Sequence, residues 1–257
     1  MRPLRLGCAL GLLLTVACVA AGCGGSSKGS TTTAQARSLV ALGDSVPRGT
    51  NCDCRPYPEL SADGLTASSG QTVTATNDAV AGYTTPRVLD QLTSDAEVKD
   101  HLRGADIVEI EIGANDVAYS QSCGTNVDCY TPKIPTLEKN LDAIVHHVHE
   151  LTAGHKALVV LLDYWSVWLG GRYAAEHGEA YVAAAERVTA DVNAVIKSTA
   201  AATGSAYVDL RAAFKGPNYA YDETHYLSDD GDHPNAAGHQ QIATAAEAVI
   251  ERALHLG

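Results

Sequence analysis

Aromatic side chains are scarce in this chain of 257 residues: one Phe and two Trp accompany 11 Tyr. Apolar residues nevertheless make up 46% of it. Most are Ala, Val and Leu, so the core is expected to be aliphatic, and the length suffices to bury one. Basic charge is also short, with 18 Lys and Arg against 30 Asp and Glu. No basic patch suits nucleic acid, and anionic membrane surfaces would repel the chain. No Gly-rich phosphate loop appears, so no nucleotide cofactor is implied, and no Cys-x-x-Cys marks a metal site. Internal repeats and a second domain are missing as well.

What is present begins with a leader. Arg2 and Arg5 precede a short apolar run, Leu10 to Ala21, that ends in small residues. Such a run is too short for an ordinary spanning helix and reads as an export signal over residues 1–22. It closes on Ala20-Ala21-Gly22-Cys23, which resembles the lipobox of bacterial lipoproteins, whose Cys is lipidated and becomes the new N-terminus. Cys18 is a poorer match, and plain secretion after cleavage near Ala21 is the other reading. Residues 23–37 lack periodicity and read as a flexible linker. The expected location is the outer face of the cytoplasmic membrane, held by lipid at Cys23. Without Arg2 and Arg5, 16 basic side chains face 30 acidic ones, a formal −14.

Seven cysteines occur in the whole sequence. Beyond Cys8, Cys18 and Cys23 there remain Cys52, Cys54, Cys123 and Cys129, the content of two disulfides in an exported domain. The side chains of an extended Cys-x-Cys diverge. Local closure of Cys123–Cys129 would leave Cys52 and Cys54 that awkward pairing. Parity therefore points to bridges between the 52–54 and 123–129 loops.

From residue 38 onward, short apolar runs alternate with longer amphipathic stretches. Strands are expected over 38–42, 72–76, 106–112, 157–162 and 206–210, and helices over about 84–102, 135–153, 174–203 and 235–255. Pro135 can open the second helix and Gly154 close it. This alternation predicts one α/β domain over 38–257, a parallel sheet with helices on both faces. Ligands then bind beyond the carboxyl ends of the strands.

Four motifs fall near the site so predicted, three of them at strand ends: Gly43-Asp44-Ser45, Asn77-Asp78-Ala79-Val80-Ala81-Gly82, Gly113-Ala114-Asn115-Asp116, and Asp230-Gly231-Asp232-His233-Pro234-Asn235 near the C-terminus. Together, in this order, they resemble the SGNH hydrolases, the GDSL-type esterases and lipases, over nearly all of residues 38–255. The family's four signature residues fall on Ser45, Gly82, Asn115 and His233. The resemblance implies a three-layer, flavodoxin-like fold with a five-stranded parallel sheet, and cleavage of carboxylic esters through a serine, without cofactor or metal.

The residue chemistry reads the same way. A Ser hydroxyl needs an adjacent base, for which His233 is suited near neutral pH, and Asp230 can accept the other imidazole N–H. Ser45 and Gly82 backbone N–H groups and the Asn115 amide would form the oxyanion hole. Asp229 and Asp232 are the rival orienting acids. Asp222-Glu223-Thr224-His225 repeats the Asp-x-x-His spacing without the following Pro-Asn and reads as loop. Asp44 and Asp116 are expected to hold loop N–H groups. His146, His147 and His149 read as a solvated helix face, and His239 as packing or capping. Tyr164, Trp165 and Trp168, beyond the fourth strand, either line a substrate subsite or pack the loop. No Gly-x-Ser-x-Gly occurs, which argues against the α/β-hydrolase fold. The other functions open to this residue set are O-deacetylation of, or acyl transfer to, a cell-envelope glycan, and a lipid-anchored binding protein without turnover. The expected partners are a small-molecule, glycan or lipid ester and the membrane through Cys23; natural substrate and oligomeric state stay open.

Overall fold

The structure, a computed structural model, describes residues 36–255. The export signal, Cys23 and all but the last two residues of the linker lie outside them. Five parallel strands form one sheet in the order β2-β1-β3-β4-β5. They are β1 (Arg37–Gly43), β2 (Val73–Asn77), β3 (Ile107–Glu111), β4 (Leu158–Leu162) and β5 (Ala206–Val208). In chain order the helices among the described residues are α1 (Ser45–Arg48), α2 (Tyr57–Ser69), α3 (Thr85–Ser94), α4 (Ala96–Arg103), α5 (Ile134–Leu151), α6 (Gly171–Glu176), α7 (Glu179–Thr203), α8 (Leu210–Lys215) and α9 (Ala236–Leu254). Helices α2 and α9 pack together on one face of the sheet, and α3, α5 and α7 form a row on the other. The expected three-layer, flavodoxin-like arrangement is present.

Leu39 to Leu42, wholly buried, pair with β2 on one side (Leu39↔Ala75) and β3 on the other (Leu39↔Ile107). The strand order therefore reverses beside β1, and a crevice opens at the carboxyl ends there.

Several expected elements differ in detail. The 84–102 helix is two, because the Asp95 carboxylate accepts from the backbone N–H of Glu97 and Val98 and starts a new helix. The fifth strand stops at Val208, where Asp209 caps α8 by accepting from Ala212 N–H. Helix α2 was not anticipated, since Gly64 and Ser61 blunt its apolar pattern. At Gly64 the Glu247 carboxylate of α9 lies where a Cβ would stand, 2.1 Å from its carboxyl carbon, so a larger residue would displace that side chain. The partial alternation of β3 also misleads: its acids do not face water, and Glu109 and Glu111 are both 0% exposed beneath α2 and α9.

The disulfides correct the expected cross-loop pairing. Cys52 bonds Cys54 and Cys123 bonds Cys129, each within its own loop. Asp53 has a left-handed φ of +49°, so the Cys-x-Cys segment folds back instead of extending. Its two Cα atoms come within 5.0 Å, where the side chains converge.

Candidate active site

The loop after β1 leaves the sheet at Gly43, whose φ is +145°. A Cβ there would sit 2.0 Å from the Glu111 carbonyl oxygen, so only glycine lets β1 turn this close to β3. Asp44 then caps α1, its Oδ1 accepting from Val46 N–H at 3.0 Å while Oδ2 accepts from the Tyr164 hydroxyl at 2.7 Å. Burial pushes the Asp44 carboxyl up to about 6, against the pull of those hydrogen bonds. Ser45, the first residue of α1, is thereby held at the carboxyl end of the sheet.

The second and third motifs are tied to the first and to each other. Val80 N–H donates to the Gly43 carbonyl at 3.1 Å. Asn115 Nδ2 donates to the Tyr83 carbonyl at 2.9 Å, pinning the loop just after Gly82. Gly82 has a φ of +79°, and a Cβ there would meet no protein atom within 4 Å. It faces open space. Asp116 accepts from both the backbone N–H and the hydroxyl of Thr85, at 2.9 and 2.6 Å.

In the fourth motif, His233 Nδ1 lies 2.7 Å from Asp230 Oδ2 and 4.0 Å from Asp232 Oδ2. Asp230 Oδ1 accepts from the backbone N–H of Asp232 and His233, both at 3.0 Å. Partial burial opposes the Asp230 charge, but the surrounding donors (the Asn51 amide foremost, then the His233 backbone and ring) outweigh it and bring its pKa down to about 2. With Asp230 ionised, the imidazole Nδ1 carries the proton, which leaves Nε2 free to accept another.

A cavity of about 360 Å³ is lined by Ser45, Asn115 and His233 together. Among the described residues, Ser45 Oγ makes no hydrogen bond to the imidazole, as is common before substrate binds. Asp230 stands behind His233, and Gly82 precedes Tyr83, whose carbonyl the Asn115 amide holds. Tyr164, Trp165 and Trp168 also line the cavity, yet each is at least 97% buried. Trp165 stacks on Phe214 with centroids 4.3 Å apart, and Trp168 Nε1 donates to the Val117 carbonyl at 2.9 Å. They form a fixed wall. The more exposed wall consists of Tyr119 and His177, which pack on the buried Tyr181; these residues lie beyond any strand-end motif and carry no signal in the sequence.

The rival acid Asp232 also lines the cavity, but its carboxylate is the farther of the two from His233 Nδ1. Asp222, His225 and the α5 histidines lie outside the cavity lining. Asp222 accepts from Thr224 N–H at 2.9 Å, and the His225 ring packs at a tilt against Tyr226. His146 faces Asp142 and His147 faces Glu150 along α5. His239 is fully buried and its Nδ1 accepts from Tyr57 N–H at 3.2 Å.

A parallel sheet in the order 2-1-3-4-5 with helices on both faces is the fold of the SGNH hydrolases. Residues 41–241 match the model of the GDSL-like lipase/acylhydrolase family, and the chain belongs to that family. Among solved structures, the lipase Lip_vut3 from a goat rumen metagenome is similar at 20% identity and a TM-score of 0.68, over 83% of this chain and 97% of that one. The extracellular lipase of Streptomyces rimosus is similar at 26% identity and a TM-score of 0.63, over 85% and 100%. A variant of Axe2, an acetylxylan esterase from Geobacillus stearothermophilus, is similar at 20% identity and a TM-score of 0.58, over 86% and 94%. No curated protein matches the sequence.

Proposed function

We propose that this protein hydrolyses carboxylic esters by nucleophilic catalysis, with Ser45 as nucleophile, His233 as general base and Asp230 as the acid that orients it. The observation that carries the reading is the 2.7 Å contact from His233 Nδ1 to Asp230 Oδ2, with His233 on the wall of the cavity that Ser45 and Asn115 share. His233 takes the Ser45 proton as the hydroxyl attacks the ester carbonyl, and returns it to the departing alkoxide. Water, deprotonated by the same imidazole, then releases the acid from the acyl-enzyme. The backbone N–H groups of Ser45 and Gly82 and the Asn115 amide stabilise the tetrahedral oxyanion. One Asn115 N–H is engaged with Tyr83, which aims the amide and leaves its other N–H for substrate.

The cavity, about 360 Å³, is near the small end of ligand pockets, and its Trp wall is fixed by packing, which favours short acyl groups. The test is turnover of p-nitrophenyl esters from acetate to palmitate, with a fluorophosphonate label located by peptide mass mapping. Hydrolysis that is fastest for the short esters, with the label on Ser45, is expected. A chain that turns over no ester and takes no label at Ser45 is not this enzyme.

A second reading, O-deacetylation of a glycan, draws on Tyr119. This ring is 43% exposed on the cavity wall and packs edge-on to Trp168 with centroids 5.1 Å apart, a surface on which a sugar ring can stack. Faster release of acetate from an acetylated glycan than from p-nitrophenyl acetate would favour it. In either reading the enzyme works outside the cytoplasm, anchored through Cys23; the leader sequence and the paired cysteines support that placement.

Asn115→Ala removes one oxyanion donor. It is expected to lower kcat on the order of 100- to 1,000-fold with little change in KM, because the developing charge exists only in the transition state. Steady-state kinetics on the best p-nitrophenyl ester checks this; an unchanged kcat would remove Asn115 from the oxyanion hole.

A further inference from the structure

Asp230 receives one hydrogen bond from far away in sequence. Asn51 Nδ2 donates to Asp230 Oδ2 at 2.5 Å across a separation of 179 residues. This is the same oxygen that faces His233 Nδ1. The other donors to Asp230, from Asp232 and His233, come from its own loop and move with it. Asn51 alone among the described residues ties the carboxylate to the rest of the fold. A second link runs beside it, as the Ser228 hydroxyl donates to the Asn51 carbonyl at 3.1 Å.

The segment that carries Asn51 is built to hold this pose. Asn51 and Asp53 both have left-handed backbones, with φ of +59° and +49°. Asn and Asp tolerate that region better than other side chains, and here they flank Cys52. The Cys52–Cys54 bridge closes the loop directly after Asn51. The bridge sulfurs lie within 4.8 Å of a ring nitrogen of the buried His239, which seats the staple against α9, while Asn51 itself is exposed and does not line the cavity.

We infer that Asn51 is a positioning residue for the Asp230–His233 pair: its amide fixes the carboxylate oxygen against the imidazole, and the Cys52–Cys54 bridge holds Asn51 where it can reach. The inference rests on the catalytic reading of Asp230 and His233. It gives the disulfide a task at the site, which is to keep the loop before α2 locked onto the loop before α9.

Asn51→Gly isolates the amide, because glycine adopts a φ of +59° without steric cost. Two measurements on the purified protein decide the matter. The first is carboxyl 13C NMR of Asp230 between pH 6 and pH 2. In the parent the carboxylate stays ionised until about pH 2, and in Asn51→Gly it should titrate at least about one pH unit higher, having lost its foremost donor. The second is steady-state kinetics, where kcat should fall about tenfold with KM within about twofold, since Asn51 touches no substrate surface. The double variant Cys52→Ser/Cys54→Ser should move both quantities in the same direction by less. An Asp230 titration identical in parent and Asn51→Gly overturns the inference, and so does a shifted titration with kcat unchanged. A parent that hydrolyses no ester defeats the catalytic reading instead, and the titration then still decides whether Asn51 governs Asp230.

Discussion

Replacing Ser45 by alanine is expected to lower kcat for ester hydrolysis by about 10⁴-fold or more while leaving thermal stability and KM nearly unchanged. Ser45 is half-buried at the start of α1, and the cap that holds the helix is the Asp44 side chain. The Cβ of alanine fits where the serine Cβ already sits, so the fold has no reason to respond. The chemistry does. Without Oγ no acyl-enzyme forms, and His233 can at best activate water against an ester held beside Asn115. The donors and the binding cavity survive, so some rate above the uncatalysed reaction remains, as when a member of a serine triad is removed. A loss of 10⁴ corresponds to about 5 kcal/mol of transition-state stabilisation. The measurement is kcat and KM on the same ester for both proteins, with melting curves alongside. A Ser45→Ala protein within tenfold of the parent, equally folded, would mean that another group attacks the ester.

The second large effect is on stability and comes from β3. Glu109 is fully buried with no hydrogen-bond partner for its carboxyl oxygens, and burial pushes its carboxyl up to about 8, helped by Glu247 and Glu59. Below the unfolded value of 4.5 the group is protonated in both states and costs nothing. From there to about 8 the unfolded chain releases the proton while the folded one keeps it, so stability falls as pH rises. At 1.36 kcal/mol per unit this amounts to about 3 kcal/mol by pH 7. Glutamine has the same shape and no proton to release. Glu109→Gln should therefore match the parent near pH 4.5 and exceed it progressively, by about 4 kcal/mol or roughly 8–16 °C in Tm at pH 8. Glu111 is also pushed well up, by burial first and then by Asp44, and both of those causes are the same in the two proteins. A Tm difference that stays flat between pH 5 and pH 8 would show that Glu109 is not held protonated in the native state.

These two residues show where the sequence is legible. Ser45 follows an apolar run and belongs to a motif whose order along the chain, with Gly82, Asn115 and His233, is itself informative. Glu109 stands in a run whose polar–apolar alternation resembles a strand half in water. Its burial depends on β3 lying centrally in the sheet, with α2 and α9 over it, and on α2 forming despite Gly64 and Ser61. Those small residues weaken the helical pattern for the same reason that they permit close packing. The disulfides behave alike. Divergence of an extended Cys-x-Cys is sound geometry, but the left-handed turn at Asp53 removes the extension on which it depends.

By itself the sequence determined the aliphatic α/β architecture, the strand ends at which the candidate site lies and the residue types gathered there. Periodicity and motif order are properties of the chain and survive being read in one dimension. Tertiary structure decided the cysteine pairing, the burial of Glu109 and Glu111, the Tyr119–His177–Tyr181 wall, and the reach of Asn51 to Asp230. Each of these depends on backbone turns and on the packing of one element against another. Contacts made across 179 residues leave no periodic trace in the chain that makes them.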